Sequence, residues 1–447
     1  MTPADNPAAK SNADVPLLLP HNGPVTVSPS SVPKTPLAPR NRRRDEILRA
    51  AAGLFASDGY ASTSMREVAA ASGILPGSLY HHFESKEAIA VELVEDYHAD
   101  LVRVVRESQP DPGNPLGSLH GFAHEIANVS WRHQAALQIS VFDAPGTASS
   151  SLRTVVRTEP ASVDRYWRRL ISAGLASEAI ESSVDSRILR HVLNRTIVQV
   201  GLAWDYTSES GEVTDCILAL LFDGLARSAG ACEDRSKPAR IVDEARLRWT
   251  EQAAEQRAQR RGQILDAART EFAQRGFDAT TVRDIADTAG VKASNLYRYF
   301  ESKDSMIREI LGNFSEQLSA AYRDVIGSGS GTVPTVDAIL WLLNQAGHHF
   351  SREVEILQTF SRLLTLGVAD TYHEGAQDRL AMLSDLIARG VAAGDLNDIA
   401  APALVASCLR EIMWAPMRNL VHISPQRVRQ FHRQSVLSGQ ARHPAPR

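Results

Sequence analysis

The sequence predicts an all-α chain built as two tandem units, on three observations. Apolar residues recur at helical spacing along most of the chain, strand-type alternation is not evident anywhere, and one 45-residue stretch occurs twice. The copies are RRDEILRAAAGLFASDGYASTSMREVAAASGILPGSLYHHFESKE at 43–87 and RRGQILDAARTEFAQRGFDATTVRDIADTAGVKASNLYRYFESKD at 260–304. Shifted by 217 residues without a gap, they agree at 19 of 45 positions. The matches fall on core, turn and polar-tip residues together, which shared composition alone does not produce.

Each copy reads as three short helices. In the first, Ile47, Leu48, Ala51 and Phe55 form one apolar stripe that ends before Gly59. Thr63 or Ser64 can cap a second helix that turns Val68 and Ala69 inward. Ser72-Gly73 breaks it, and a third helix follows with Pro76 near its first position and Leu79 and Phe83 inward. In the second copy the stripe is Ile264, Leu265, Ala268 and Phe272, with Gly276 turning the chain. Ile285 and Ala286 anchor its second helix, Gly290 makes the tight turn, and Leu296 and Phe300 anchor its third. A glycine turn between the second and third helices predicts a helix-turn-helix.

Composition narrows the possible functions. The 447 residues carry a net charge of -4, which excludes coating nucleic acid by bulk charge but not a local basic surface. Three dispersed cysteines exclude a disulfide framework, argue against a cysteine-rich zinc site and suit a reducing compartment. No apolar run approaches the ~20 residues that span a bilayer, and the expected location is cytoplasmic. Residues 1–39 hold nine of the 22 prolines and read as a disordered tail.

The outward face of each third helix is what points to DNA. In the second copy it carries Lys292, Ser294, Asn295, Tyr297, Arg298 and Tyr299. Asn295 suits adenine, Arg298 suits guanine or phosphate, and the hydroxyls suit phosphate oxygens. In the first copy the same face is Gly77, Ser78, Tyr80, His81 and His82, followed by Lys86. Arg40, Arg42, Arg43 and Arg44 are expected to precede the first helix of the first copy, and Arg257, Arg260 and Arg261 its counterpart in the second; these clusters favour phosphate contact.

The pattern Thr-x-x-x-Ile/Val-Ala, then Gly-Val/Ile, then Leu-Tyr-x-x-Phe-x-Ser-Lys runs from Thr63 to Lys86 and again from Thr280 to Lys303. It strongly resembles the TetR family of bacterial transcriptional regulators. The resemblance covers about 90 of the 447 residues. It implies operator binding by the helix-turn-helix, and a larger helical body that dimerises and holds a small-molecule pocket. It also implies that Thr63, Gly77, Ser78, Tyr80, His81, His82 and Lys86 face DNA, as do Thr280, Ser294, Asn295, Tyr297, Arg298, Tyr299 and Lys303. Two such units in one chain depart from the family's usual single unit. Leu75-Pro76 also departs from the pattern at the point where the second copy has Lys292-Ala293.

The expected organisation is a tail over 1–39, DNA-binding domains at 40–88 and 257–305, and helical ligand-binding or dimerisation bodies at 89–230 and 306–440. A helical linker at 231–256 and a second tail at 441–447 complete it. If 20 to 24 linker residues are helical they span about 30–36 Å, enough to return the chain to the DNA end of the second unit. The function expected is a DNA-binding regulator, a repressor by family habit, acting as an intramolecular pseudo-dimer and released by a small lipophilic or acyl-CoA-like effector. A two-chain homodimer competes with the pseudo-dimer, and a helical interaction scaffold with one or both modules inactive is the alternative function. Trp131, Phe142, Trp167 and Trp204 in the first body, and Phe360 and Trp414 in the second, are candidate pocket liners. His120 and His124 have metal-binding spacing but lack a supporting carboxylate set. No clustered acid–base residues suggest an enzyme, and no cofactor or metal is expected.

Overall fold

In the computed structural model the described residues are 39–60, 62–143, 150–158, 160–202, 209–228, 232–277, 279–358, 370–414 and 423–441. The expected tails at 1–39 and 441–447 therefore lie outside them, apart from Pro39 and Ala441. No described helix is long and apolar enough to cross a membrane. The fold is all-α, and the described residues contain only two isolated β-bridges.

The first unit opens with α1 (Pro39–Asp58), α2 (Met65–Ala71) and α3 (Pro76–Tyr80), followed by α4 (Lys86–Glu107) and α5 (Pro115–Arg132). Then come α6 (Gln134–Gln138), α7 (Ser150–Arg157), α8 (Ala161–Ala176), α9 (Ser186–Gln199) and α10 (Ser210–Phe222). α7 and α8 are separate helices. Pro160, with φ -62° and ψ 104°, is the extended residue that precedes α8. Likewise α5 stops at His133, whose φ of -111° and ψ of 34° leave the helical region.

A 22-residue helix, α11 (Lys237–Ala258), joins the units. The second unit repeats the plan with α12 (Arg260–Arg275), α13 (Val282–Thr288), α14 (Ala293–Leu296), α15 (Lys303–Ile326) and α16 (Thr332–His349). It ends with α17 (Ser351–Gln358), α18 (Asp370–Ala393), α19 (Pro402–Trp414) and α20 (Pro425–His432), extended by a π-helical turn at Arg433–Leu437.

α11 is packed, not free. It lies on α12, α15 and α16 and buries Val242, Ala245 and Trp249. The Trp249 ring meets Phe350 edge-on at 5.1 Å. Near its start Lys237 donates to the Ser328 carbonyl beyond the far end of α15, and Arg248 pairs with Asp324 at 3.0 Å. The helix thus runs back along α15 toward the second module, and at ~1.5 Å per residue it covers about 33 Å.

The two bodies meet through α9 and α10 of the first and α19, α20 and the π-helical turn of the second. Cys216, Ile217 and Leu220 on one side and Val405, Cys408 and Leu409 on the other are buried, and one apolar core runs through both bodies. The backbone bonds at this seam pair off reciprocally. Ala226 N–H donates to the Leu437 carbonyl at 2.9 Å, and Ala441 N–H to the Phe222 carbonyl at 2.8 Å. Glu181 N–H donates to Gln440, and Asn397 N–H to Leu225. The bridge Ile180–Ala441 is matched by Ala226–Leu396. Such exchange, in which corresponding residues trade places, is the mark of an isologous contact.

Candidate nucleic-acid interface

In each module a buried wedge sets the direction of the recognition helix. Leu79 and Phe83 in the first, and Leu296 and Phe300 in the second, are at most 3% exposed, which leaves the opposite face in solvent. Gly77, Ser78, Tyr80 and His81 are exposed, and His82 is half-buried. Lys292, Ser294, Asn295, Tyr297, Arg298 and Tyr299 are all exposed. The tyrosine tips stand out: Tyr80 is 55% and Tyr297 60% exposed.

Helix caps and left-handed glycines build the turn. Ser64 and Glu67 form a capping box at the start of α2, and Thr281 and Asp284 form one at α13. Hydrogen bonds from Ser64 hold the Glu67 carboxyl below its ordinary range, and those from Thr281 do the same for Asp284. Gly73 (φ 65°) and Gly290 (φ 64°) turn the chain between the second and third helices, a conformation that strains any side chain.

Three pairs of expected DNA contacts have other work in the fold. Thr63 and Thr280 are 3% and 1% exposed, so they do not face a duplex. Their hydroxyls donate to the Gly59 and Gly276 carbonyls, at 2.9 and 2.7 Å, which closes the turn after the first helix. Lys86 donates to the carbonyls of Tyr60 and Thr63, at 2.6 and 2.8 Å, and lies over the Tyr60 ring. Lys303 donates to Phe277 and Thr280 and lies over the Phe277 ring. Buried carbonyls at a turn need donors, and these ammonium groups supply them.

Arg44 and Arg261 are clamps. Arg44 Nε donates to both Glu92 oxygens, at 2.9 and 3.1 Å, another of its nitrogens reaches the His82 carbonyl, and its guanidinium lies 4.0 Å over the Phe83 ring. Arg261 repeats this with Glu309, the Tyr299 carbonyl and Phe300. Each clamp ties the first helix and the end of the recognition helix to α4 or α15. Arg43 pairs with Glu46 at 2.7 Å, and Arg260 bonds Gln263 at 2.8 Å; both reach toward the carbonyl of the turn glycine.

One feature was missed in the sequence. The capping boxes are legible as Ser-x-x-Glu and Thr-x-x-Asp, and they assign the cap to Ser64 rather than Thr63. Leu75, at the start of α3, is 78% exposed and stands where the second module has Lys292.

Of the candidate pocket residues, Trp131 and Trp167 are the two whose side chains lie within the described residues. Trp131 is 39% exposed on the outer side of α5, so it lines no interior. Trp167 is fully buried and meets Phe122 edge-on at 4.8 Å. Trp204 and Phe360 lie outside the described residues, as do the side chains of Phe142 and Trp414. Among the described residues no group of three His, Cys, Asp or Glu could hold a metal ion, and His124 pairs with Asp215 at 2.8 Å.

Comparison with known proteins gives the same reading. The sequence profile of the bacterial regulatory proteins of the tetR family matches twice, at residues 47–93 and 264–310. The HTH-type transcriptional repressor KstR2 of Mycolicibacterium smegmatis is 32% identical over 164 residues, which are 36% of this chain and 80% of that repressor. This chain belongs to the TetR family. KstR2 of Rhodococcus jostii is 34% identical over 160 residues, 36% of this chain and 78% of that one. The solved structure titled ketosteroid transcriptional regulator KstR2 of Mycobacterium tuberculosis is 30% identical, covering 41% of this chain and 96% of that one with a TM-score of 0.39. The chain is a helix-turn-helix, DNA-binding transcriptional regulator of this family with two TetR-type units in tandem.

Proposed function

We propose that one chain acts as an intramolecular pseudo-dimer: a repressor that lays both recognition helices on one operator and leaves it when a small lipophilic or acyl-CoA-like effector binds a body. The reciprocal seam between the bodies is the observation that carries this reading. It gives one polypeptide the self-complementary contact that two subunits otherwise supply. The exposed faces at Gly77, Ser78, Tyr80, His81 and His82, and at Lys292, Ser294, Asn295, Tyr297, Arg298 and Tyr299, meet the duplex, with Arg43 and Arg260 beside phosphates.

Two-headed binding predicts half-sites about one DNA turn apart, ~34–36 Å. The two faces differ in chemistry, Leu75, Ser78 and His81 against Lys292, Asn295 and Arg298, so the half-sites differ in sequence. Mapping genomic binding sites and footprinting one of them tests this. A single chain over two unlike half-sites, with mass confirmed by light scattering, is the expected result; a perfect palindrome held by two chains overturns it. The relatives named as transcriptional repressors, one titled a ketosteroid regulator, support repression and an apolar effector. Release of the operator by such a compound, followed by electrophoretic shift, checks that part.

A further inference from the structure

The second body buries a positive charge that no carboxylate among the described residues neutralises. Arg379, on α18, is 6% exposed. One guanidinium nitrogen, Nη1, donates to the Ser319 hydroxyl at 2.6 Å and to the hydroxyl and carbonyl of Ser315 at 3.2 Å each. Nε and Nη2 meet no acceptor among the described residues, although the side-on edge they form is the one that fits a carboxylate in two parallel bonds. Burial lowers the pKa of Arg379, and the acid acting on it, Asp378, counts for less than the phenols of Tyr372 and Tyr322. Beside the guanidinium, the rings of Tyr372 and Phe314 stack at 5.8 Å and 16°, which supplies an apolar wall.

Packing of the fold does not require this arginine, as the first body shows. Gly174 abuts Ile180 as Gly390 abuts Leu396, which sets the register between α8 and α18. In that register Val163 stands where Arg379 is. On α4, His98 and Val102 stand where α15 has Ser315 and Ser319. The charge and both of its hydroxyl partners therefore belong to the second body alone. Gly375 makes room for this cluster, since a Cβ there would lie 2.2 Å from the Ser315 hydroxyl oxygen and 3.1 Å from Arg379 Nη1.

We propose that the second body recognises its effector by a carboxylate: an apolar compound with a free acid group, bound two-pronged to the Nε/Nη2 edge of Arg379. This rests on the reading of the bodies as effector sites and names the chemistry that one of them selects. A buried guanidinium without a counter-ion is costly, and an anion brought by the ligand offsets that cost only in the bound state. The first body, with Val163 in this place, has no such preference.

Full-length protein is titrated with dodecanoate and with cholanate, each beside its methyl ester, following heat stability and binding. The expected result is at least tenfold tighter binding of acid than ester, a preference that Arg379→Met abolishes while leaving ester binding unchanged. Ligand-free Arg379→Met unfolds at a temperature no lower than the parent, which an arginine serving only structure would not allow. Equal binding of acid and ester to the parent protein overturns the carboxylate and leaves the lipophilic effector standing. Binding of neither removes both for these chemistries. Should Arg379→Met fail to fold, the acid-to-ester ratio of the parent protein decides alone.

Discussion

Gly224 and Gly439 face each other across the seam between the two bodies, each against the other's backbone. A Cβ on Gly224 would lie 2.4 Å from the Gly439 nitrogen, and one on Gly439 2.5 Å from the Asp223 carbonyl carbon. Both are left-handed, with φ of 81° and 78°. Alanine at either site meets two penalties, the ~1–2 kcal/mol of the left-handed backbone and a collision with main chain. Gly224→Ala or Gly439→Ala should each lower stability by about 2–4 kcal/mol in denaturant titration. In the pseudo-dimer, operator affinity falls with it, and a variant that keeps full affinity with an opened seam would count against two-headed binding.

Truncating the recognition faces separates reading from folding. Arg298→Ala should weaken operator binding by ~1–3 kcal/mol and relax base preference in one half-site. Lys292→Ala should weaken all sequences alike and flatten the dependence of binding on salt by about one counterion. Tyr80→Ala and His81→Ala should act on the other half-site. None should move the melting temperature, because all four side chains are exposed. Fluorescence anisotropy at two salt concentrations, with a parallel melt, reads each of these.

The clamps behave differently. Arg44→Ala and Arg261→Ala remove a guanidinium that holds a carboxylate, a carbonyl and a ring at once. With side chains 40% and 46% exposed, solvent screens the ion pair, and a loss of about 1–2 kcal/mol per clamp is expected. The readout is a melting temperature that drops together with operator affinity. A change in affinity alone would return these arginines to the phosphate backbone.

Acid should loosen the second body through His432. This imidazole is fully enclosed, neither ring nitrogen has a partner, and burial pulls its pKa down to about 4. An unfolded histidine titrates near 6.5, so between these values the unfolded chain binds the extra proton and stability falls as pH falls. From pH 7 to pH 5 the expected loss is about 2 kcal/mol. His432→Phe should abolish that slope in urea titrations at the two pH values. An unchanged slope would place the acid sensitivity elsewhere, with His98, His120, His348 and His349, whose pKa values partial burial also lowers, next in line.

The modules were legible because their signals are local: a 3.6-residue stripe, a glycine turn, an anchored helix with a polar face. The burial of Leu79, Phe83, Leu296 and Phe300 and the exposure of the faces opposite follow from spacing alone. The clamps were not legible. In sequence Arg44 and Lys86 read as cations beside a DNA-facing helix, and nothing local reveals that Glu92 or the Tyr60 carbonyl lies within reach. The seam was hidden for another reason. Its contacts join residues more than 160 positions apart, and outside Gly224 and Gly439 and the pair Ala226 and Ala441 the two ends differ in side chain while keeping their backbone pairing. Arg379 stood in an unremarkable charged stretch, and only its burial without a carboxylate bonded to it among the described residues distinguishes it.

The tether carries a quantitative consequence for regulation. Because α11 holds both bodies on one polypeptide, their encounter is a first-order event set by a short span, and dilution does not separate them. A repressor assembled from two free subunits loses its active form as the square of its abundance when copies are few. In the proposed pseudo-dimer the active fraction stays level, so promoter occupancy is expected to track copy number in direct proportion down to a handful of molecules per cell.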